Sequence, residues 1–297
     1  MTNLKSSLSQ YDQLIGGLSS GLVSTAVCHP LDLLKTRFSA NDGTSLRPTY
    51  RSYWHATHCI VKASGFRGMY QGFTPNMVGA TLSWGLYFHW YHKIRDLFPA
   101  ASNYQNTINF SSGMISGTCV MLFTNPIWVT KTRLFLQYEN VNTTKRYKGM
   151  VDCLFKIARE EGIRGLYRGF LIGVIGTTHG ALQFMIYNFM KDEICKSKGM
   201  VQDSQLSNFE TTYCSIVSKV IATTAIFPYQ VLRTRVQDHN VNNVNVLQTS
   251  KNIIGKEGLK GFYKGCLMAN IRLLPAAVVT FLTYENVRHY VKSLENA

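Results

Sequence analysis

Hydrophobic and polar positions alternate in long blocks along the 297-residue chain. Residues 13–31, 73–91, 107–130 and 169–190 contain no Asp, Glu, Lys or Arg. Two further windows, 211–232 and 265–284, hold one charge each, Lys219 and Arg272. A helix needs roughly 20 residues to cross a bilayer, so the pattern predicts six transmembrane helices in an all-α membrane protein. The windows are rich in Gly, Ser, Thr and Asn. That suits helices that pack closely or line a polar cavity, and it does not suit isolated anchors in lipid. Taken alone, the pattern also fits the buried helices of a large soluble protein. The stretches 50–63, 147–161 and 244–257 read as amphipathic helices lying along a membrane surface.

Internal repeats decide between these readings. Pro30-Leu31-Asp32-Leu33-Leu34-Lys35-Thr36-Arg37 aligns with Pro126-Ile127-Trp128-Val129-Thr130-Lys131-Thr132-Arg133 and with Pro228-Tyr229-Gln230-Val231-Leu232-Arg233-Thr234-Arg235. A second motif ends in Gly72, Gly169 and Gly265, which lie 97 and 96 residues apart. It reads Gly65-Phe66-Arg67-Gly68-Met69-Tyr70-Gln71-Gly72 in the first copy. A third, weaker motif closes each unit: Tyr91-His92-x-x-Arg95, Tyr187-Asn188-x-x-Lys191 and Tyr284-Glu285-x-x-Arg288. The chain is therefore one domain of three tandem repeats, about 11–99, 105–198 and 206–292. Two spans per repeat return the chain to its starting side, so both termini share one face. Tandem units in one orientation imply a pseudo-threefold axis along the membrane normal.

Composition sharpens the picture. The net charge is +15, yet only 16% of residues are charged, against about 25% in an average soluble domain. A soluble basic helical nucleic-acid-binding protein would place its bases on one continuous face. Here they sit between the apolar blocks and at their ends. Seven scattered cysteines without a C-x-x-C pair read as small buried hydrophobes. No Walker A, dinucleotide-fold, zincin or nucleophile-elbow motif is present, so the chain reads as a non-enzyme without metal or catalytic residues. Met1–Gln10 is neither a secretory signal nor an Arg-rich transit peptide, so any organellar address is internal.

The tripled P-x-[DE]-x-x-[KR]-x-[KR] pattern with its later glycine motif resembles the mitochondrial carrier family over residues 11–292. Pro126-Ile127-Trp128 and Pro228-Tyr229-Gln230 with Gln237-Asp238 resemble the subgroup that moves folates, flavin nucleotides, pyrimidine nucleotides and NAD. Leu82–Phe88, Asn125–Arg133 and His179–Phe184 are similar to its folate and FAD members. The resemblance implies a multi-pass, monomeric transporter of the mitochondrial inner membrane working by alternating access. It implies a small anionic substrate, FAD or a folate such as tetrahydrofolate, or alternatively NAD or a pyrimidine nucleotide. These are cargo, and no prosthetic group or nucleic acid is implied.

The resemblance also assigns sites. Asp32, Lys35, Trp128, Lys131, Gln230 and Arg233 would form a gate on the matrix side, with Gln237 as a brace. Residues at Pro+2 and Pro+5 share a helix face, which makes such a ring geometrically reasonable. Only Asp32 is acidic there, so the expected ring holds one ion pair, Asp32–Lys131, with Trp128 facing Arg233 and Gln230 facing Lys35. At the opposite end Arg95, Lys191, Glu285 and Arg288 would form the second gate, with Glu285–Arg95 as its obvious pair. Substrate contacts carry over to Gly79, Ala80, Gly176, Thr177 and Arg272, the two small sites leaving room for a large ligand. Lys219 joins them on charge grounds, because an ion within a span is costly. Cardiolipin would dock near Gly72, Gly169 and Gly265, where helix N-termini offer backbone N–H groups to phosphate.

Overall fold

The computed structural model describes residues 2–43, 47–48, 50–97, 105–138, 146–199, 206–238 and 245–295, and these are helical without strands. The first repeat contains α1 (Thr2–Ala40), α2 (Tyr53–Ser64) and α3 (Phe73–Asp96). The second contains α4 (Gln105–Phe135), α5 (Met150–Leu166), α6 (Phe170–Gly176) and α7 (Thr178–Ser197). The third contains α8 (Asn208–Gln237), α9 (Val246–Glu257), α10 (Cys266–Ile271) and α11 (Leu273–Glu295). The sixth span is divided between α10 and α11 because Pro275 lacks the N–H that would bond the carbonyl of Ile271. Three stretches are long and apolar enough to cross a membrane by composition: Phe170–Ser197, Phe209–Gln237 and Leu259–Val287. The other long helices interleave their apolar residues with Gly, Ser, Thr and Asn. Phe123, Leu171, Phe184, Phe189 and Phe281 are nevertheless exposed on the bundle, a surface suited to lipid.

α2, α5 and α9 match the three amphipathic stretches. Ser52 caps α2 by accepting from the His55 amide, and Asn245 caps α9 by accepting from the Leu247 amide. In α5 the helical path is broken at Gly162, at φ 66°. Ile60, Ile157 and Ile253 occupy the same place on the three helices and are buried against the neighbouring long helix.

Pro30, Pro126 and Pro228 lie inside α1, α4 and α8. Side-chain hydroxyls of Thr36, Thr130 and Thr234 bond carbonyls four residues back, a contact that favours bending of the helix. Beyond the bends the three helices meet in a cyclic arrangement. The Arg37 Nε donates to the Phe135 carbonyl at 3.0 Å, Arg133 to that of Gln237 at 3.3 Å, and Arg235 to that of Ser39 at 3.0 Å. Each arginine is seven residues after its proline, and each acceptor is nine after the proline of the next repeat. The third repeat thus bonds back to the first, and the ring closes.

The glycine motif is built into the same ring. Gly72, Gly169 and Gly265 open the even spans with φ of 72°, 70° and 91°. A Cβ on Gly72 would press on Phe135, one on Gly169 on Gln237, and one on Gly265 on the Lys35 carbonyl at 2.7 Å and the Ser39 Oγ at 2.8 Å. Gly265→Ala combines a left-handed backbone with a collision against main chain, penalties of about 1–2 and 1–3 kcal/mol. The variant should melt several degrees below the parent in a detergent thermal-shift assay. An unchanged midpoint would mean that the seam between repeats 3 and 1 relaxes freely.

Candidate functional site

The basic end of the bundle is held by paired charges within repeats 2 and 3. Arg133 grips Glu161 through both guanidinium nitrogens, and Arg235 grips Glu257 in the same way. Arg168 and Lys264 bind the same two carboxylates at 3.0 and 2.6 Å. Burial works against the Glu257 charge, but hydrogen bonds from Arg235 and Lys264 outweigh it and hold its carboxyl below the usual carboxylate range. Its contribution to stability is complete above the ordinary carboxylate value and is lost as pH falls through the lowered one. Repeat 1 has Ser64 and Gln71 at these two places, and Arg37 turns to the Gln71 Oε1 at 2.9 Å instead.

One layer inward the expected gate is rearranged. Asp32 is buried and bonds Arg272 at 2.9 Å, while no ion pair with Lys131 occurs among the described residues. Lys131 instead stands over the rings of Trp128, at 5.0 Å, and Phe135, at 5.1 Å. Trp128 therefore meets the lysine one turn along its own helix, not Arg233. Arg233 reaches the Asn125 Oδ1 at 3.4 Å, with its guanidinium over Gly173. Lys35 lies over the Phe227 ring at 5.8 Å, and no bond joins it to Gln230 among the described residues. The physical reason is shared: without acids at 128 and 230, the cations take the nearest π face or amide oxygen. Gln237 accepts from the Thr132 Oγ1 at 2.8 Å and donates to the Arg168 carbonyl at 3.3 Å, so it ties repeat 2 to repeat 3 without bonding Arg233.

The residues carried over as substrate contacts fall on the seams between repeats. Gly79 is buried where a Cβ would meet Ile127 at 3.2 Å and Trp128 at 3.4 Å. A methyl group on Gly176 would collide with the Tyr229 phenol. These glycines are small because the next repeat fills the space, which corrects the expectation that they leave room for a ligand. Ala80 is half-buried beside Gly79, and the Thr177 methyl packs where a Cβ on Gly117 would stand, at 3.1 Å. Arg272 completes the set by meeting Asp32 across the third seam.

Charges from several helices share the interior. Lys35, Lys131 and Arg272 act on Asp32, Arg233 acts on Lys131, and Arg272 acts on Lys219. Three cations, from α4, the α10–α11 junction and α1, thus act on one buried carboxylate, and Arg233 and Lys219 are each coupled to one of those cations. No helix of a soluble core would gather such a set without acids to match it, whereas a cavity that receives anions would.

At the far end, Glu285 and Arg95 are exposed and form no ion pair among the described residues. The expected Glu285–Arg95 pair is therefore not closed here. Lys191 is half-buried there, and the Arg288 side chain lies outside the described residues.

A sequence profile of the family described as mitochondrial carrier protein matches residues 6–102, 102–198 and 204–294. The chain belongs to the mitochondrial carrier family. Similar curated proteins include the chloroplastic Folate transporter 1 of Arabidopsis thaliana, 34% identical over 95% of this chain and 96% of its own length. The Mitochondrial FAD carrier protein FLX1 of Saccharomyces cerevisiae is 30% identical over 93% and 96%. The Mitochondrial nicotinamide adenine dinucleotide transporter 1 of the same yeast is 32% identical over 97% and 79%. This mitochondrial carrier is accordingly a transporter and not an enzyme, with six transmembrane helices in three pseudo-threefold repeats and no prosthetic group.

Several residues of the carrier escaped the sequence reading. His29 is fully buried just before Pro30, with Nε2 at 3.2 Å from the Gln71 carbonyl and Nδ1 at 3.1 Å from the Asn76 amide. Asn125, in the same place before Pro126, donates to the Leu166 carbonyl at 2.8 Å. Arg47, from the loop after α1, is buried against Asp238 at the end of α8 and bonds Asp42 at 3.1 Å. Residues immediately before the repeated prolines were the available signal for the first two. Nothing local marks Arg47.

Proposed function

We propose that this carrier moves a large anionic cofactor, FAD or a folate, across the mitochondrial inner membrane by alternating access. The observation that carries the proposal is the buried carboxylate of Asp32 shared by Lys131, Arg272 and Lys35, with Arg233 and Lys219 coupled to members of that set and no further acid beside them among the described residues. Such an excess of positive charge favours a cargo bearing two or more negative charges. The two named relatives that carry folate and FAD support the same class. In this reading the ring of arginine–carbonyl bonds and paired charges is the closed matrix side, and the end that carries Arg95 and Glu285 faces the intermembrane space.

A cavity of about 650 Å³ lies beside Gly72, lined by Arg67, Gln71, Gln137 and Lys148. Its basic rim and the adjacent start of α3 support docking of an anionic phospholipid such as cardiolipin between repeats 1 and 2.

Purified protein in liposomes, given FAD, tetrahydrofolate, NAD and a pyrimidine nucleotide side by side, tests the proposal. Saturable uptake of FAD or tetrahydrofolate, exceeding that of the others, is the expected result. Preference for NAD or the pyrimidine nucleotide would replace the cargo while keeping the class. Absence of uptake of all four would remove the class.

A further inference from the structure

The wall between α7 and α8 carries polar groups that neither the gate nor the seams use. His179, on α7, faces Thr223, on α8, with Nε2 3.3 Å from Oγ1. Lys219 is one turn before Thr223 on the same face of α8. Lys219 acts electrostatically on His179, as does Lys35 from α1, and Arg272 acts on Lys219 from the α10–α11 junction. Side chains on helices this far around the bundle can influence one another only if all of them face its interior.

The threefold repeat shows how unusual this place is. Lys219 lies nine residues before Pro228, and its counterpart in repeat 2 is Gly117, nine before Pro126. Gly117 packs on Thr177, eight residues after Gly169. In repeat 3 the counterparts of Gly117 and of Gly176, the neighbour of Thr177, are two cations, Lys219 and Arg272. Arg272 acts electrostatically on Lys219, and two like charges on one wall favour an anion placed between them. Arg272 has Asp32, although its Nε is buried without a partner. Lys219 forms no ion pair among the described residues. An anion seated between the two cations would satisfy both.

We propose that His179 and Thr223 complete, with Lys219, an anion subsite on the α7–α8 wall that adjoins Arg272 and receives a phosphate or carboxylate group of the cargo. Lys219 supplies an ammonium and His179 an Nδ1–H, while the Thr223 hydroxyl donates to Nε2 and so holds the imidazole in that tautomer. Thr223 is buried and holds the imidazole by its Nε2, which leaves Nδ1 without a hydrogen-bond partner among the described residues. Because the subsite lies at one seam only, between repeats 2 and 3, it gives the cavity a polar side, and a cargo with an anionic end and an aromatic end binds in one orientation. The subsite deepens the carrier reading above and rests on it.

Inorganic pyrophosphate and glutarate serve as probes, added to the purified full-length protein in detergent while its thermal midpoint is recorded. Both should stabilise the parent. In His179→Ala, Thr223→Val and Lys219→Gln the apparent Kd for pyrophosphate should weaken at least about fivefold, while Lys219→Arg keeps most of the affinity. The ligand-free midpoints should match the parent, which a merely structural role for these residues would not allow. Equal affinity in His179→Ala, Thr223→Val and the parent would overturn the subsite. Liposome uptake separates the two readings. Weakened anion binding in the variants, with a parent that takes up no cofactor, leaves the subsite standing and the cargo assignment fallen. Normal cofactor uptake and unaltered KM in all three variants remove the subsite alone.

Discussion

Arg272→Ala should lower uptake of the anionic cargo by about tenfold or more, the loss expected when one or two charge-assisted hydrogen bonds of roughly 1.5–3 kcal/mol each disappear. The substitution also deprives Asp32 of its ion-pair partner, since the two are 2.9 Å apart. Two causes could therefore reduce transport: a missing cargo contact, or a buried carboxylate left without its closest cation. The double variant Asp32→Asn with Arg272→Ala separates them. If the orphaned carboxylate is the cause, the double variant regains uptake. If Arg272 holds the cargo, the double variant stays as poor as the single one. Lys35 and Lys131 remain within reach of Asp32, so the thermal midpoint of Arg272→Ala should fall only modestly. Initial rates in liposomes, read beside those midpoints, make the comparison. Uptake equal to the parent's in Arg272→Ala would remove this residue from the cargo site.

The sequence made the repeats, the six apolar blocks and the three surface helices readable, because each rests on spacing that one chain displays by itself. Pro30, Pro126 and Pro228 marked the bends, and Gly72, Gly169 and Gly265 marked the tight starts of the even spans. Partners across the seams were less readable. Which cation meets Asp32 depends on how the third repeat closes on the first, and Arg272 wins over Lys131 by position. Gly79 and Gly176 suggested empty space, yet a glycine in a packed seam marks where a neighbour intrudes, here Trp128 and Tyr229. The last arginine of each signature, Arg37, Arg133 or Arg235, was visible as a repeated letter. Its role was not, because the acceptor is a backbone carbonyl on another repeat, which leaves no trace in residue identity.

The Asp32–Arg272 pair gives the carrier a means of coupling cargo to opening. Asp32 belongs to the bent end of α1 and Arg272 to the break between α10 and α11, so their bond fastens the seam between repeats 3 and 1. An anionic cargo that engages Arg272 competes with Asp32 for it. Binding then weakens a contact of the closed state, which is the differential affinity a ligand must have to shift a conformational equilibrium. Coupling of about 1–3 kcal/mol would change the ratio of open to closed roughly 5- to 150-fold. Asp32→Asn removes the fastening in advance, so the matrix side should open without cargo. Trp128→Asp and Gln230→Asp should act in the opposite sense, placing carboxylates at the two positions equivalent to Asp32, near Lys131 and Arg233, and slowing transport by stabilising closure. A cysteine introduced below the gate and labelled from the matrix side reports all three. Labelling should be faster than the parent in Asp32→Asn and slower in the two acidic variants. Added cargo should accelerate labelling of the parent but hardly that of Asp32→Asn, whose seam is already released. If the label reacts at one rate in every protein, these residues anchor helix ends and the opening energy comes from elsewhere in the ring.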